Sequence, residues 1–426
     1  MINLKDHVGK ALHRPVTLAV VGAGARGAAY AELAARHPDK VRVVAVAEPR
    51  AAVRDRFGVR HALAPGRIFD DWRKMAALGR VADAVIIATL DADHLEPTEV
   101  FAGQGYDILL EKPIAPVEEQ VLAVGAAAAR TGATIAVCHV MRYTPYTRTM
   151  RELLPEIGEI VSVEHLEPIG FYHFAHSFVR GNWRRADETA FALLAKSCHD
   201  IDWLTAVVGR KVTTVSSFGG LKHFTAANRP AGAADRCLDC PLRDSCAYSA
   251  ATLYRDGLRH GGTKQYFTRV MTGGVLTEEA VTRALAEGPY GRCVYACDND
   301  VVDHQVVGME FEGGATASFT MTAFTPLENR HTKIFGTHGQ LTGDGRYIHI
   351  YDFASERTTT VDTSRGGSDA AEGHAGGDES LIESFVTALH EGRPELILSG
   401  IQESVDSHRV VFAAERARRR GRLEHL

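Results

Sequence analysis

Three groups of residues combine types and spacings that carry chemistry. The first is Gly22-Ala23-Gly24-Ala25-Arg26-Gly27, set between the mostly apolar run 16–21 and the helix-favouring AAYAELAARH. Strand, glycine turn and helix in that order are the context in which G-x-G-x-x-G binds a dinucleotide. Gly22 permits the tight turn, Gly24 lets the backbone approach a pyrophosphate, and Gly27 lets the helix sit close to the strand. The helix start, Ala25-Arg26-Gly27, turns free N–H groups toward the phosphates. The next strand, 41–47, ends in Glu48 about twenty residues on, where an acid can accept hydrogen bonds from the adenosine ribose and repels a 2′-phosphate. That favours NAD over NADP. Arg26 and Arg50 pull the other way, because either can hold a phosphate. The second group is Glu111-Lys112-Pro113, directly after the strand 106–111 and so at the ligand edge of an open α/β sheet. A lysine there can point its ammonium at a hydroxyl or alkoxide; an ordinary surface lysine is the plainer alternative. The third group is Cys237-x-x-Cys240 with Cys246, followed by Cys293 and Cys297. Thiolates at this spacing suit tetrahedral zinc held by Cys237, Cys240, Cys246 and Cys297, with Cys293 as the alternative fourth ligand. An iron–sulfur cluster is the other metal reading, and buried thiols are the metal-free one. Cys138 and Cys198 read as core residues.

These groups need a scaffold, and the hydrophobic pattern describes one. Over residues 16–140 strand and helix patterns alternate: strands at 16–21, 41–47, 82–89, 106–111 and 134–139, with helical stretches between them. That alternation predicts a parallel, doubly wound sheet, so residues 1–140 form a Rossmann-type α/β domain. From 141 the rhythm changes. Helical segments at 147–154 and 193–208 accompany longer strands with alternating apolar and polar residues, which predicts an α+β domain over 141–426 with a large, mostly antiparallel, open sheet. The cysteine-rich stretch lies in an insertion at about 221–292, where a metal would staple a segment short of core. Residues 365–378 are Gly-, Ser- and Ala-rich and read as a loop, with His374 placed to close over a ligand. Helices at 379–389 and 402–418 end the chain.

Composition narrows the function classes. The chain has 426 residues, 45% hydrophobic and 24% charged, with a net charge of −5, which points to two domains of a soluble protein. Nothing in that balance calls for nucleic acid or an anionic membrane as partner. The basic ERARRRGR ends a helix, where cations are favoured. The first residues lack an apolar signal core and no run is long enough to cross a bilayer, so the expected compartment is the cytoplasm, with reduced thiols.

Five features in order resemble the Gfo/Idh/MocA oxidoreductases: GAGARG, an acid after the second strand, Ala88-Thr89 followed by His94, Glu111-Lys112-Pro113, and Arg142-Tyr143-Thr144-Pro145. The resemblance is strongest over 16–145 and returns at 196–203, 330–339 and 376–385. It implies a Rossmann domain, a C-terminal α/β domain whose open sheet builds a homodimer or homotetramer, and hydride transfer between a carbinol carbon and NAD or NADP. It places the cofactor against Gly22, Gly24, Ala25, Arg26, Gly27, Glu48, Arg50, Thr89, His94, Glu111 and Lys112. Many relatives carry D-x-x-x-H on the helix that here reads Lys196-Ser197-Cys198-His199-Asp200-Ile201-Asp202-Trp203. His199 matches the histidine, and an imidazole suits removal of a hydroxyl proton. The residue four before it is Ala195, not Asp, which opens the question of what partners the base; Lys196 and Asp200 are candidates, and Asp202 is read as structural.

The resulting expectation is that His199 takes the proton of a sugar, sugar-derivative or cyclitol hydroxyl while Lys112 stabilises the alkoxide and hydride passes to NAD. Lys112, Arg142, Tyr143, Trp183, Arg184, Lys196, His199 and His304 are the candidate substrate contacts, with Trp183 equally readable as core. Asp298, Asn299, Asp300 and Asp303 either bind hydroxyls or cap turns. Two alternatives stay open: an NAD-dependent glycoside hydrolase working by transient oxidation and elimination, and a non-catalytic nucleotide sensor.

Overall fold

The computed structural model describes residues 11–12, 14–364 and 376–426; His374 and most of the Gly-rich loop lie outside the described residues. Six strands form the first sheet: β1 (Val16–Val21), β2 (Val41–Ala47), β3 (Ile68–Phe69), β4 (Ala84–Ile87), β5 (Asp107–Leu110) and β6 (Ile135–Val137). Their order is β3-β2-β1-β4-β5-β6 and every pairing is parallel. The chain therefore leaves β1 toward one edge and returns at β4 toward the other, opening a crevice at the carboxyl ends of β1 and β4. The apolar runs are buried because helices cover both faces: Val20, Ile86 and Leu109 belong to the core on one side, Val21, Ile87 and Leu110 to the core on the other.

The second sheet has nine strands: β7 (Ile160–Pro168), β8 (Val212–Gly220), β9 (His304–Phe311), β10 (Thr316–Thr322), β11 (His331–Gly336), β12 (Gly339–Gly343), β13 (Tyr347–Asp352), β14 (Arg357–Asp362) and β15 (Glu424–His425). Their order is β14-β13-β12-β11-β7-β10-β9-β8-β15; β7 and β10 are parallel and the other neighbours antiparallel. Alternation sorts the side chains. Val307, Met309, Phe319 and Met321 face the core shared with the helices Ala192–Val208 and Ile401–Arg420, whereas Val161, Phe218 and Val306 are exposed.

Two features depart from the pattern read in the sequence. The helix Gly377–Glu391 lies between β14 and β15 in the chain but packs into the first domain, where Leu381, Ile382, Phe385 and Val386 join the core of β1 and β2. Position in the chain hides this, because the apolar stripe of a helix does not name its partner. The segment between β8 and β9 is also more structured than an insertion held only by cysteines. It contains the helices Ala250–His260, Gly262–Met271 and Glu278–Glu287 around a small core that includes Tyr254, Phe267, Val281 and Leu285. Ser249 and Thr277 cap two of them by accepting from Thr252 and Ala280 N–H groups, and these capping residues are the local signal that was readable.

Leu381→Ala is expected to cost about 2–5 kcal/mol in urea unfolding, because Leu381 is fully buried in the first domain's core. Val59→Ala, at an exposed position, is expected to stay within about 0.5 kcal/mol of the parent.

Candidate active site

The glycine turn has the geometry its spacing requires. Gly22 sits at φ +85°, and a Cβ there would lie 2.5 Å from Ala88 O. A Cβ on Gly27 would lie 2.0 Å from Gly22 O, so only glycine lets the helix Ala25–Ala34 approach β1 this closely. At Gly24 the nearest atom to an added Cβ is Arg50 Nη2, 3.5 Å away. The backbone there is open toward the crevice, as a pyrophosphate needs. Glu48 is buried and accepts from Ala23 N–H at 3.0 Å, Arg50 N–H at 3.0 Å, and Arg50 Nε and Nη2 at 2.7 and 2.9 Å. Burial opposes its charge, but these bonds hold its carboxyl below the usual range. Glu48 thus pins Arg50 above Gly24. The anion and the cation that argued in opposite directions over a 2′-phosphate form one bonded pair.

Several side chains named from sequence are committed elsewhere. Arg26 bonds Glu111 at 2.7 Å and Asp378 at 2.6 and 3.1 Å. Its guanidinium ties the glycine helix to the end of β5 and to the helix Gly377–Glu391, and it is not presented to a phosphate. Glu111 also accepts from Tyr30 O–H at 2.9 Å and Lys112 N–H at 2.7 Å, so its carboxylate braces the turn instead of meeting a cofactor. His94 is fully buried, with Nδ1 2.9 Å from Pro113 O, and supports the same turn, where the Lys112–Pro113 bond is cis. Thr89 O–H donates to Asp93 O at 3.1 Å. Arg142 is buried against Asp202 in a two-pronged pair of 2.6 and 2.7 Å and donates to Leu398 O at 2.7 Å. The Tyr143 hydroxyl is buried against Ser399 Oγ and the N–H groups of Leu398 and Ser399. Arg142 and Tyr143 are both buried and lock the domain junction. Arg184 pairs with Asp298 at 2.9 Å and with Glu188, and His304 lies 2.8 Å from Asp303. Asp303 also accepts from the N–H groups of Lys222 and His223, so it caps a turn.

What the fold does bring together is Lys112 and the helix Ala192–Val208. Lys112 Nζ donates to Ala195 O at 3.0 Å, one turn before His199. At the position four before His199, a backbone carbonyl meets Lys112. Lys196 pairs with the buried Glu167 at 2.8 Å, and Arg330 bridges Glu167 at 2.9 Å to Asp200. Asp200 in turn meets His165 at 3.2 Å. Asp202 holds Arg142 and accepts from Ser407 Oγ at 3.0 Å, in keeping with a structural part. Trp183 is partly exposed and meets the carboxylate of Asp91, whose carboxyl burial raises against the opposing influence of His94 and Lys112.

Asp91, His139, Glu167 and Arg330 were not read from the sequence as site residues. His139 lies two residues past the end of β6 and sits edge-to-face with His199, ring centroids 5.8 Å apart, and 3.7 Å from Asp202. Burial pushes its pKa down to about 3. Position at a strand's carboxyl end was the signal available for Asp91 and His139; nothing local marks Glu167 or Arg330. Burial pushes the Cys198 thiol up to about 12, in line with a core cysteine. The zinc expectation is not met. Among the described residues no three His, Cys, Asp or Glu side chains converge as ligands for one ion. The thiol that joins Cys237, Cys240 and Cys246 around one cavity is Cys293, whereas Cys297 bonds Cys293 O at 3.2 Å.

Comparison with known proteins decides the family. The oxidoreductase family's NAD-binding Rossmann fold matches residues 16–139 and its C-terminal alpha/beta domain matches 151–424. The chain belongs to the Gfo/Idh/MocA oxidoreductases. It is 24% identical over 349 residues to the Bacillus subtilis (strain 168) protein YteT, named as an oxidoreductase, spanning 75% of this chain and 76% of that one. Among solved structures it resembles an Azotobacter vinelandii inositol dehydrogenase homolog complexed with NADH and myo-inositol, with TM-score 0.67, 16% identity, and 97% and 98% of the two chains covered. An Agrobacterium radiobacter oxidoreductase in complex with NAD+, L-tartaric acid and magnesium gives TM-score 0.70 at 14% identity, covering 96% and 98%.

Arg142→Ala leaves the Asp202 carboxylate buried without its main partner and is expected to cost about 3–5 kcal/mol in denaturant unfolding at pH 7. Burial opposes the charge on Asp202, but His139 and Arg142 depress its folded-state pKa. Its contribution is therefore present above the unfolded carboxylate value of about 3.9 and is lost as pH falls through the lower folded value. The gap between parent and variant should narrow in that acid window; a gap that stays constant there contradicts the assignment.

Proposed function

We propose that this oxidoreductase is an NAD-dependent dehydrogenase that oxidises a carbinol carbon of a sugar, sugar derivative or cyclitol. The observation that carries the reading is the Lys112–Ala195 contact, which sets an ammonium one helical turn from His199 at the carboxyl edge of the first sheet. In this reading the open backbone at Gly24 and the N–H groups of Ala25 and Gly27 hold the pyrophosphate, and Glu48 with Arg50 lies at the adenosine ribose. NAD, when bound, supplies the hydride acceptor. His199 takes the hydroxyl proton and Lys112 offsets the alkoxide charge in a cleft screened from water. Lys196 and Trp183 line the substrate side. The relative complexed with myo-inositol supports a polyol as substrate.

The exposed Val161, Phe218 and Val306 on the second sheet support assembly through that face as a homodimer or homotetramer. Seven free cysteines fit a reducing cytoplasm. Among the described residues no helix is long and apolar enough to cross a membrane.

Purified protein with NAD⁺ and a panel of sugars and cyclitols should generate the absorbance of reduced nicotinamide with at least one polyol. With that substrate, Lys112→Ala and His199→Asn are each expected to lower kcat by about 10²–10⁴-fold while NADH binding, followed by fluorescence, is largely kept. Full turnover in either variant removes that residue from the chemistry. Glu48→Ala frees Arg50 and is expected to shift preference toward NADPH by roughly tenfold, about 1.4 kcal/mol.

A further inference from the structure

At the junction of the two domains one buried side chain has both of its polar atoms unmet. His139 is fully buried, and neither ring nitrogen has a hydrogen-bond partner among the described residues. An unmet polar atom in a native core costs free energy and calls for an explanation. The groups that face the ring come from each element packed around it. The helix Ala192–Val208 presents His199, ring centroids 5.8 Å apart at 80°, and Asp202, whose Oδ1 lies 3.7 Å from His139 Nε2. The helix Ile401–Arg420 presents His408, ring centroids 5.5 Å apart. Arg142, on the same segment, and Lys112, past the end of β5, act on the ring as charges. Most of these neighbours are committed. His408 accepts from Ile114 N–H at Nε2 and donates from Nδ1 to Ser404 O. Arg142 is bonded to Asp202 and Leu398 O, and Lys112 to Ala195 O. The Asp202 carboxylate accepts two bonds from Arg142 and one from Ser407, and a carboxylate has room for a further one.

We propose that His139 is a positioning residue that couples His199 to the buried Asp202 carboxylate, donating from Nε2 to Asp202 and accepting at its other ring nitrogen from His199. This role rests on the dehydrogenase reading, in which His199 takes the hydroxyl proton. Burial disfavours a charge on the His139 ring, and a neutral imidazole has the one N–H and the one acceptor nitrogen that the role needs. So bonded, His139 holds neutral His199 with its N–H inward and its bare nitrogen toward the substrate, as the orienting partner of a catalytic histidine does. The hydroxyl proton bonds to that nitrogen as the O–H bond breaks. The oxygen's electron pair becomes part of the carbonyl as hydride leaves the carbon for the nicotinamide. The His199 imidazolium then donates to His139, and His139 to Asp202, which stays ionised. A carboxylate thus reaches the base although position 195 is alanine. The Asp202 contact is longer than a hydrogen bond by about 0.5–1 Å; catalytic hydrogen bonds are often long before substrate binds and tighten in its complex.

The test compares the full-length parent with three variants. His139→Phe and His139→Leu remove both nitrogens and keep an apolar side chain in the core; His139→Gln keeps one donor and one acceptor. NADH binding and urea unfolding identify the variants that fold, and His139→Phe should be at least as stable as the parent because it takes two unmet polar atoms out of the core. The first readout needs no turnover. It is the NMR titration of the His199 ring in ¹³C-histidine-labelled protein bound to NADH, with the signal assigned through His199→Asn. Asp202 supports the His199 imidazolium through His139, so the apolar variants should lower the His199 pKa by about one unit, and His139→Gln should keep it near the parent value. The second readout is the pH profile of kcat with an oxidised polyol. Oxidation needs neutral His199, so in the apolar variants the acid limb should move to lower pH by the same amount, and the plateau should fall roughly tenfold because the base is weaker. A His199 titration left unchanged in a folded apolar variant overturns the coupling, as does a loss of kcat with an unmoved pH profile, which is what packing alone gives. A shifted titration in a protein that oxidises no polyol supports the coupling and counts against the dehydrogenase reading, so the two failures are told apart.

Discussion

The buried pair of Arg142 and Asp202 is the constraint on which the site depends. Arg142 follows the last strand of the first sheet; Asp202 lies on the helix that carries His199. Two short bonds between them, a third from Ser407 and the nearby His139 fix where that helix meets the end of β6. With the helix so placed, Ala195 O falls within reach of Lys112. Without the pair, two charges would be stranded in the junction, and the register between Lys112 and His199 would have nothing rigid to set it. A second brace does the same at the cofactor end. Arg26 joins Glu111 and Asp378, linking the glycine helix, the strand end that bears Lys112, and a helix donated by the far end of the chain.

These two braces explain why so many polar residues crowd the junction. A carboxylate or guanidinium in a low-dielectric interior is tolerable only when paired and bonded. Lys112 differs from these: its ammonium is held by a backbone carbonyl, whereas Lys196 is paired with the buried Glu167. The backbone contact at Ala195 holds Lys112 in place without neutralising it.

Much of the fold was legible. The strand–turn–helix context of GAGARG specified β1, its helix and the open backbone at Gly24, because glycine is the residue that these close approaches admit. The change from continuous apolar runs to alternating ones located the second sheet. Lys112 at a strand end was legible for the same topological reason. What failed was pairing. Arg26, Glu111, Arg142 and Tyr143 are polar residues near a ligand edge, and the sequence does not distinguish a side chain that faces a ligand from one that faces a partner brought up from elsewhere in the chain. Asp378 for Arg26 and Ser399 for Tyr143 are the most distant of those partners, and both follow a stretch whose connection to the first domain no local pattern reveals. The cysteine spacing was visible, but spacing does not say whether the thiols converge, and among the described residues no three of them do so as ligands for one ion.

The most direct test of the central claim, that Lys112 and His199 face a carbinol carbon beside the nicotinamide, follows the hydride itself. The protein is incubated with NAD⁺ and a polyol substrate deuterated at its carbinol carbons, and the nicotinamide is recovered for mass and NMR analysis. The account predicts one deuterium on the reduced ring, on a single face, with a primary isotope effect on the single-turnover rate. Product formation that leaves the nicotinamide oxidised and unlabelled, with deuterium released to water, contradicts it.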